Sequence, residues 1–93
     1  DSVKAAIIFI PIDAERVKVS WRAKPGLDVA SVARSFGGGG HLAAAGAEVR
    51  GDLADVMVLV LNETKLEIER VFPNSTAEGK ITAKSIADWN EIV

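Results

Sequence analysis

No cysteine occurs anywhere in the chain, which excludes a disulfide framework and a thiolate metal site. Histidine is almost as scarce, with His41 the single copy, and the carboxylates are scattered over stretches that read as helices and turns. A metal centre needs clustered ligands, and the sequence offers no such cluster. Long apolar runs are missing too, and nothing approaches the ~20 residues of a membrane-spanning helix. The apolar start at Ala5–Ile10 is too short for a secretory leader and lacks a basic n-region and a cleavage site. The cytoplasm is the expected location, with no membrane as partner. The chain opens on Asp1 rather than Met, so a truncated or processed polypeptide is expected.

A strong charge of either sign is also absent. The formal net charge is −2, whereas domains that coat long duplexes are usually clearly basic, because phosphate neutralisation drives such binding. A large nucleic-acid footprint is disfavoured. A small anionic ligand held by a few placed donors stays compatible. The 93 residues make one domain, and 48% hydrophobic with 26% charged residues is a globular balance. The stability margin of so small a core is thin.

What is present reads as alternating strands and helices. Ala5–Ile12 is a nearly continuous apolar run, rich in β-branched residues and interrupted only by Pro11, which predicts a strand buried on both faces. Arg16–Lys24 alternates: Val17, Val19 and Trp21 point one way, Lys18, Ser20 and Arg22 the other. The short polar link between the two runs predicts a hairpin. After Pro25-Gly26, Asp28 reads as a helix cap, with Val29, Val32, Ala33 and Phe36 at helical spacing and Gly37 as the left-handed stop. Ala45, Ala47 and Val49 fit the inner face of a third strand. Asp52 caps a second helix whose stripe is Leu53, Val56, Met57 and Val60. Pro73-Asn74-Ser75 reads as a linker, and Thr82–Val93, with Ile86, Trp89 and Val93 on one face, as a short amphipathic helix. The expected class is α/β, a small mixed β-sheet flanked by helices in a single domain.

Two features stand out chemically. Gly37-Gly38-Gly39-Gly40-His41 places four glycines in a row before a histidine. Their uncovered N–H groups suit an anion-binding concavity, and His41 adds a directional donor. The same string also reads as a flexible helix stop and hinge with His41 merely at the surface. Arg22 suits a phosphate held by both guanidinium prongs, and it equally reads as a solvated residue on an exposed strand face. Ser20 shares that face. Trp21 reads first as core. No nucleophile elbow surrounds Ser20 or Ser35, so no catalytic residues and no metal ligands are expected in this chain.

Read together, Val17-Lys18-Val19-Ser20-Trp21-Arg22-Ala23-Lys24, Asp28–Phe36, Gly37–His41 and Ala44-Ala45-Gly46-Ala47 resemble the DHH-associated C-terminal domain of DHH-family phosphoesterases. The glycine-His string with its Ala-Ala-Gly-Ala continuation most resembles the nano-RNase and pAp phosphatase branch, related to RecJ exonucleases. The resemblance covers about residues 3–71, so residues 1–72 are taken as a substrate-binding domain and 73–93 as a helical C-terminal extension. It departs from the common pattern at Trp21, where a smaller apolar residue is usual, and at Leu42-Ala43, where the pair is often basic or contains proline. It implies that Arg22, Gly37, Gly38, Gly39, Gly40 and His41 bind substrate, a short RNA or DNA oligonucleotide or 3′-phosphoadenosine 5′-phosphate (pAp), and Ser20 joins them as a candidate through its place on the Arg22 face. It also implies a preceding DHH catalytic domain in the same polypeptide, holding two metal ions, typically manganese, that activate water for phosphoester hydrolysis. This chain alone is then inert, its parent a metal-dependent hydrolase, and a homodimer stays open. The alternatives are a stand-alone nucleotide-binding or assembly module without hydrolytic activity, and the equivalent domain of a cyclic-dinucleotide phosphodiesterase.

Overall fold

Alternation along the second strand decides the layering. Val17, Val19 and Trp21 are almost completely buried while Lys18 and Arg22 are exposed, so one face of the sheet must carry a cover and the other need not. The computed structural model of the chain describes residues 3–74 and 79–86. Its elements are β1 (Ala5–Asp13), β2 (Arg16–Ala23), α1 (Val29–Arg34), β3 (Gly39–His41), β4 (Ala44–Arg50), α2 (Leu53–Val71) and β5 (Ile81–Ser85). The strands form one five-stranded mixed sheet in the order β3-β4-β2-β1-β5. Only β1 and β5 pair in parallel; the other pairs are antiparallel. The α/β class and the small mixed sheet are as expected.

Both helices lie on the same face. Ile7, Phe9, Val17, Val19, Trp21, Ala45, Ala47 and Val49 from the strands share one core with Val29, Val32 and Ala33 of α1 and Val56 and Val60 of α2. The burial of these apolar side chains is the main stabilising term, at about 25 cal/mol per Å² removed from water. Among the described residues no helix covers the opposite face. This corrects the expectation that β1 is buried on both sides: Ile8 is 38% exposed on the bare face, and Ile12, at the irregularity before Asp13, is 42% exposed. An apolar run marks a strand, but it does not reveal how many layers cover it.

Local chemistry fixes the joints. Asp13 Oδ1 accepts the Glu15 N–H at 2.9 Å across the β1–β2 turn, and its other oxygen takes the Arg16 guanidinium. Asp28 and Asp52 cap the helices through Oδ1, accepting the N–H of Ser31 at 3.0 Å and of Asp55 at 2.8 Å. The fully buried Trp21 donates Nε1–H to Thr64 Oγ1 at 3.1 Å, and that hydroxyl donates in turn to Val60 O at 2.7 Å. The sheet and α2 are thereby pinned together. Buried Glu67 accepts the Asp28 N–H at 2.9 Å and grips the Arg70 guanidinium through both oxygens at 3.0 Å, which ties α2 to the start of α1. Glu67 in return raises the Arg70 pKa through that hydrogen bond and its charge.

The last element departs from the expected helix. Ile81–Ser85 is a strand that pairs with Ala5–Phe9, and the N–H of Ile86 donates to Phe9 O at 2.8 Å. The hairpin with β2 leaves one edge of β1 unpaired, and Ile81-Thr82 brings β-branched residues to fill it, so Thr82–Ser85, the start of the expected helix, is strand. Two residues of the expected apolar face, Trp89 and Val93, lie outside the described residues, as does Ser75 of the expected linker.

Candidate functional site

Strand register assembles the candidate residues on the bare face of the sheet. Side chains opposite one another in neighbouring strands share a face. Arg22 stands opposite Ala44 of β4, and Ala44 opposite His41 of β3. On the other side Arg22 faces Ala6, which faces Thr82. One row therefore reads Thr82, Ala6, Arg22, Ala44, His41. The next row reads Lys84, Ile8, Ser20, Gly46, Gly39. Two strand spacings put the Arg22 and His41 backbones about 10 Å apart.

The glycines divide into two kinds. Gly37 has φ +84 and closes α1, its N–H donating to Arg34 O while the Gly38 N–H donates to Ala33 O, the paired bonds of a Schellman stop. Those two donors are spent, so they do not form the concavity of free N–H groups expected from the string. A Cβ on Gly38 would sit 2.1 Å from Gly46 O, and one on Gly40, whose φ is +145, 2.6 Å from Ala44 O. Both are required by the close approach of β3 to β4. Gly39 is different: it has no left-handed φ, and a Cβ there would meet nothing within 4 Å. The fold does not need a glycine at this position. Gly39 and its neighbour Gly46 leave a side-chain-free patch of backbone between Ser20 and the sheet edge, next to the row of Arg22 and His41.

Electrostatics single out the same region. Arg22 and His41 are exposed, and neither row contains a carboxylate, while Lys84 adds a third basic group. The acidic Glu48 lies one row further along, facing Lys18 and 3.5 Å from Arg16. Arg22 Nη1 donates to Ser20 Oγ at 3.2 Å and to Trp21 O at 3.0 Å; among the described residues no carboxylate pairs with it. Trp21 lies on the opposite face, stacked on Phe36 with centroids 6.3 Å apart, which anchors the entry to the glycine string from below.

The arrangement collects Ser20, Arg22, Gly39 and His41 on one surface and gives Gly37, Gly38 and Gly40 structural tasks. Gly46, Ala44 and Ala6, which keep the surface low, and Lys84 were not picked out as site residues. Period-two alternation through Ala44–Ala47 carried the signal for Ala44 and Gly46. Lys84 was hidden by the helical reading of its segment. Among the described residues no three of His, Asp or Glu come together to hold a metal ion, so these residues do not fit a pair of manganese ions.

Fold and face together define a small α/β domain with one layer of helices and, among the described residues, one uncovered, locally basic sheet surface. The model of the DHHA1 domain matches residues 1–69, and the chain belongs to the DHHA1 domain family. It is 39% identical over 64 residues to the bifunctional oligoribonuclease and PAP phosphatase NrnA of Thermus thermophilus, a match that covers 68% of this chain and 20% of that relative. The chain thus spans about a fifth of the relative's length. Among the described residues no helix is long and apolar enough to cross a membrane.

Proposed function

We propose that this domain grips a short oligonucleotide or pAp for a metal-dependent phosphoesterase, and that the hydrolytic ligands belong to a DHH domain of the same polypeptide. The observation that carries the reading is Gly39, a glycine that the fold does not require, set on the bare face beside Arg22 and His41. Backbone without a Cβ lets a ligand approach closely, Arg22 supplies a charged fork for phosphate, and His41 supplies a second donor across Ala44. The Thermus relative, a bifunctional oligoribonuclease and PAP phosphatase, supports the ligand class. Residues 73–93 are an extension added to that module, with β5 as its docked part.

Calorimetric or NMR titration of the chain with a 5′-phosphorylated dinucleotide tests the reading. Charge-assisted hydrogen bonds are worth ~1.5–3 kcal/mol, so Arg22→Ala weakens binding roughly tenfold to a hundredfold. Gly39→Val weakens it comparably by occupying the bare patch, and His41→Ala weakens it by the loss of one donor. Circular dichroism confirms that each variant folds. Wild-type affinity in all three would overturn the proposal.

A further inference from the structure

Beside the Arg22 row the sheet ends in a second concavity. The β2–α1 turn, Lys24–Asp28, and the β3–β4 turn, Leu42-Ala43, enclose a cavity of about 400 Å³. The turns are locked together: Ala23 N–H donates to Ala43 O at 2.9 Å and Val29 N–H to Leu42 O at 3.0 Å. Leu27 is buried, whereas Leu42 is 65% exposed at the tip of its turn, more than any other large apolar side chain described. Asp28 lines the cavity, but its Oδ1 is taken by the Ser31 N–H and its Oδ2 lies 4.0 Å from the Arg34 guanidinium. Lys24 lines this cavity and also a smaller hollow of about 140 Å³ that includes Ala6 and Arg22. The apolar cavity and the hollow that includes Arg22 are therefore joined at Lys24, the residue after the end of β2 and two positions from Arg22.

We infer that this cavity is a nucleobase subsite, taking the base of the nucleotide whose phosphate lies at Arg22; the inference rests on the phosphate reading above. A base has flat apolar faces, and pockets for such ligands are mostly apolar with a few placed polar groups. Pro25, Leu27, Leu42 and Ala43 supply the apolar wall, and Lys24 lines both this cavity and the hollow that includes Arg22. No side chain reads base identity here beyond Lys24 and Asp28, so stacking dominates and preference among the four bases is shallow.

The test is titration of the chain with a 5′-phosphorylated diadenylate and with the same sugar-phosphate backbone lacking both bases. The base-bearing ligand should bind roughly ten- to a hundredfold more tightly. Leu42→Asp, and independently Ala43→Trp to fill the cavity, should bring its affinity down to that of the abasic ligand and leave abasic binding unchanged. Both residues are exposed, so circular dichroism should show no change of fold. Equal affinity for the two ligands, or an undiminished preference in both variants, would overturn the subsite. So would a Leu42→Asp effect confined to sedimentation, which marks the tip as a contact between chains. Failure of the phosphate reading looks different: Arg22→Ala then leaves abasic binding untouched. Absence of binding by either ligand overturns both.

Discussion

Replacing adjacent glycines by alanine separates those the fold needs from the one it does not. A methyl group on Gly38 would lie 2.1 Å from Gly46 O and 2.6 Å from Ala47 Cβ. Neither neighbour is the loose end of a flexible side chain, so β3 must move away from β4. Overpacking of this kind costs ~1–3 kcal/mol. A domain of this length loses ~4–8 °C of Tm per kcal/mol, so Gly38→Ala should melt on the order of 4–24 °C lower. At Gly39 the new methyl group meets nothing within 4 Å and φ is not left-handed. Alanine restricts the unfolded chain more than glycine does, which predicts a change between neutral and ~1 kcal/mol more stable. Thermal and urea unfolding followed by circular dichroism measure both. A Gly39→Ala variant as destabilised as Gly38→Ala would refute the division, and with it the argument that Gly39 is bare for a ligand's sake.

Thr64→Val removes the acceptor of the buried Trp21 indole N–H; a buried donor left unmatched costs ~1–3 kcal/mol, and urea unfolding should show it while Thr64→Ser is milder. Asp13 is held below the usual carboxylate range by the Glu15 N–H and then by the Arg16 guanidinium. Its contribution to stability is therefore complete above the unfolded Asp value of ~3.9 and is lost as pH falls through the depressed folded value; Asp13→Asn should flatten that part of the acid-unfolding curve. Incubated with manganese and a dinucleotide or pAp, the purified chain should show no turnover, since metal-assisted hydrolysis needs a ligand cluster; turnover that co-purified with the chain would refute this. Deleting residues 73–93 removes β5 and its pairing with Ala5–Phe9 but leaves β1–β4 and both helices, so Tm should fall while the remaining far-ultraviolet signal persists.

Most of the core was legible because period-two alternation needs no tertiary knowledge. Val17, Val19 and Trp21 had to share a face, and so did Ala45, Ala47 and Val49. The caps at Asp28 and Asp52 and the stop at Gly37 were equally local. β3 was not legible. Three residues with two glycines carry no strand signature, and they pair only because β4 offers an edge and the glycines permit the approach. β5 failed for the same reason, since its partner is the far edge of β1. The role of the glycines was half legible: the string announced backbone exposure, but which N–H groups α1 would consume depended on where the helix stopped.

A chain of net charge −2 can still present a phosphate-binding surface if its charges are sorted, and the register shows how. Asp13, Glu15 and Glu48 gather with Arg16 and Lys18 near the hairpin end of β2, where Arg16 bridges Asp13 at 2.8 Å and Glu48 at 3.5 Å. Exposed pairs like these contribute little to stability, yet they hold acidic groups away from the opposite end of the strand. Asp28 and Glu67 are engaged on the helical side, the first with the Ser31 N–H and the second with Arg70 and the Asp28 N–H. What remains on the bare face at the Arg22 end is Arg22, His41 and Lys84 without a carboxylate in either row. Binding governed by so few charges should weaken only modestly with salt, because few counterions are released, in contrast to a domain that coats a duplex. A steep loss of dinucleotide affinity between 50 and 200 mM salt, on the order of a thousandfold, would place the ligand on a broader surface than these two rows.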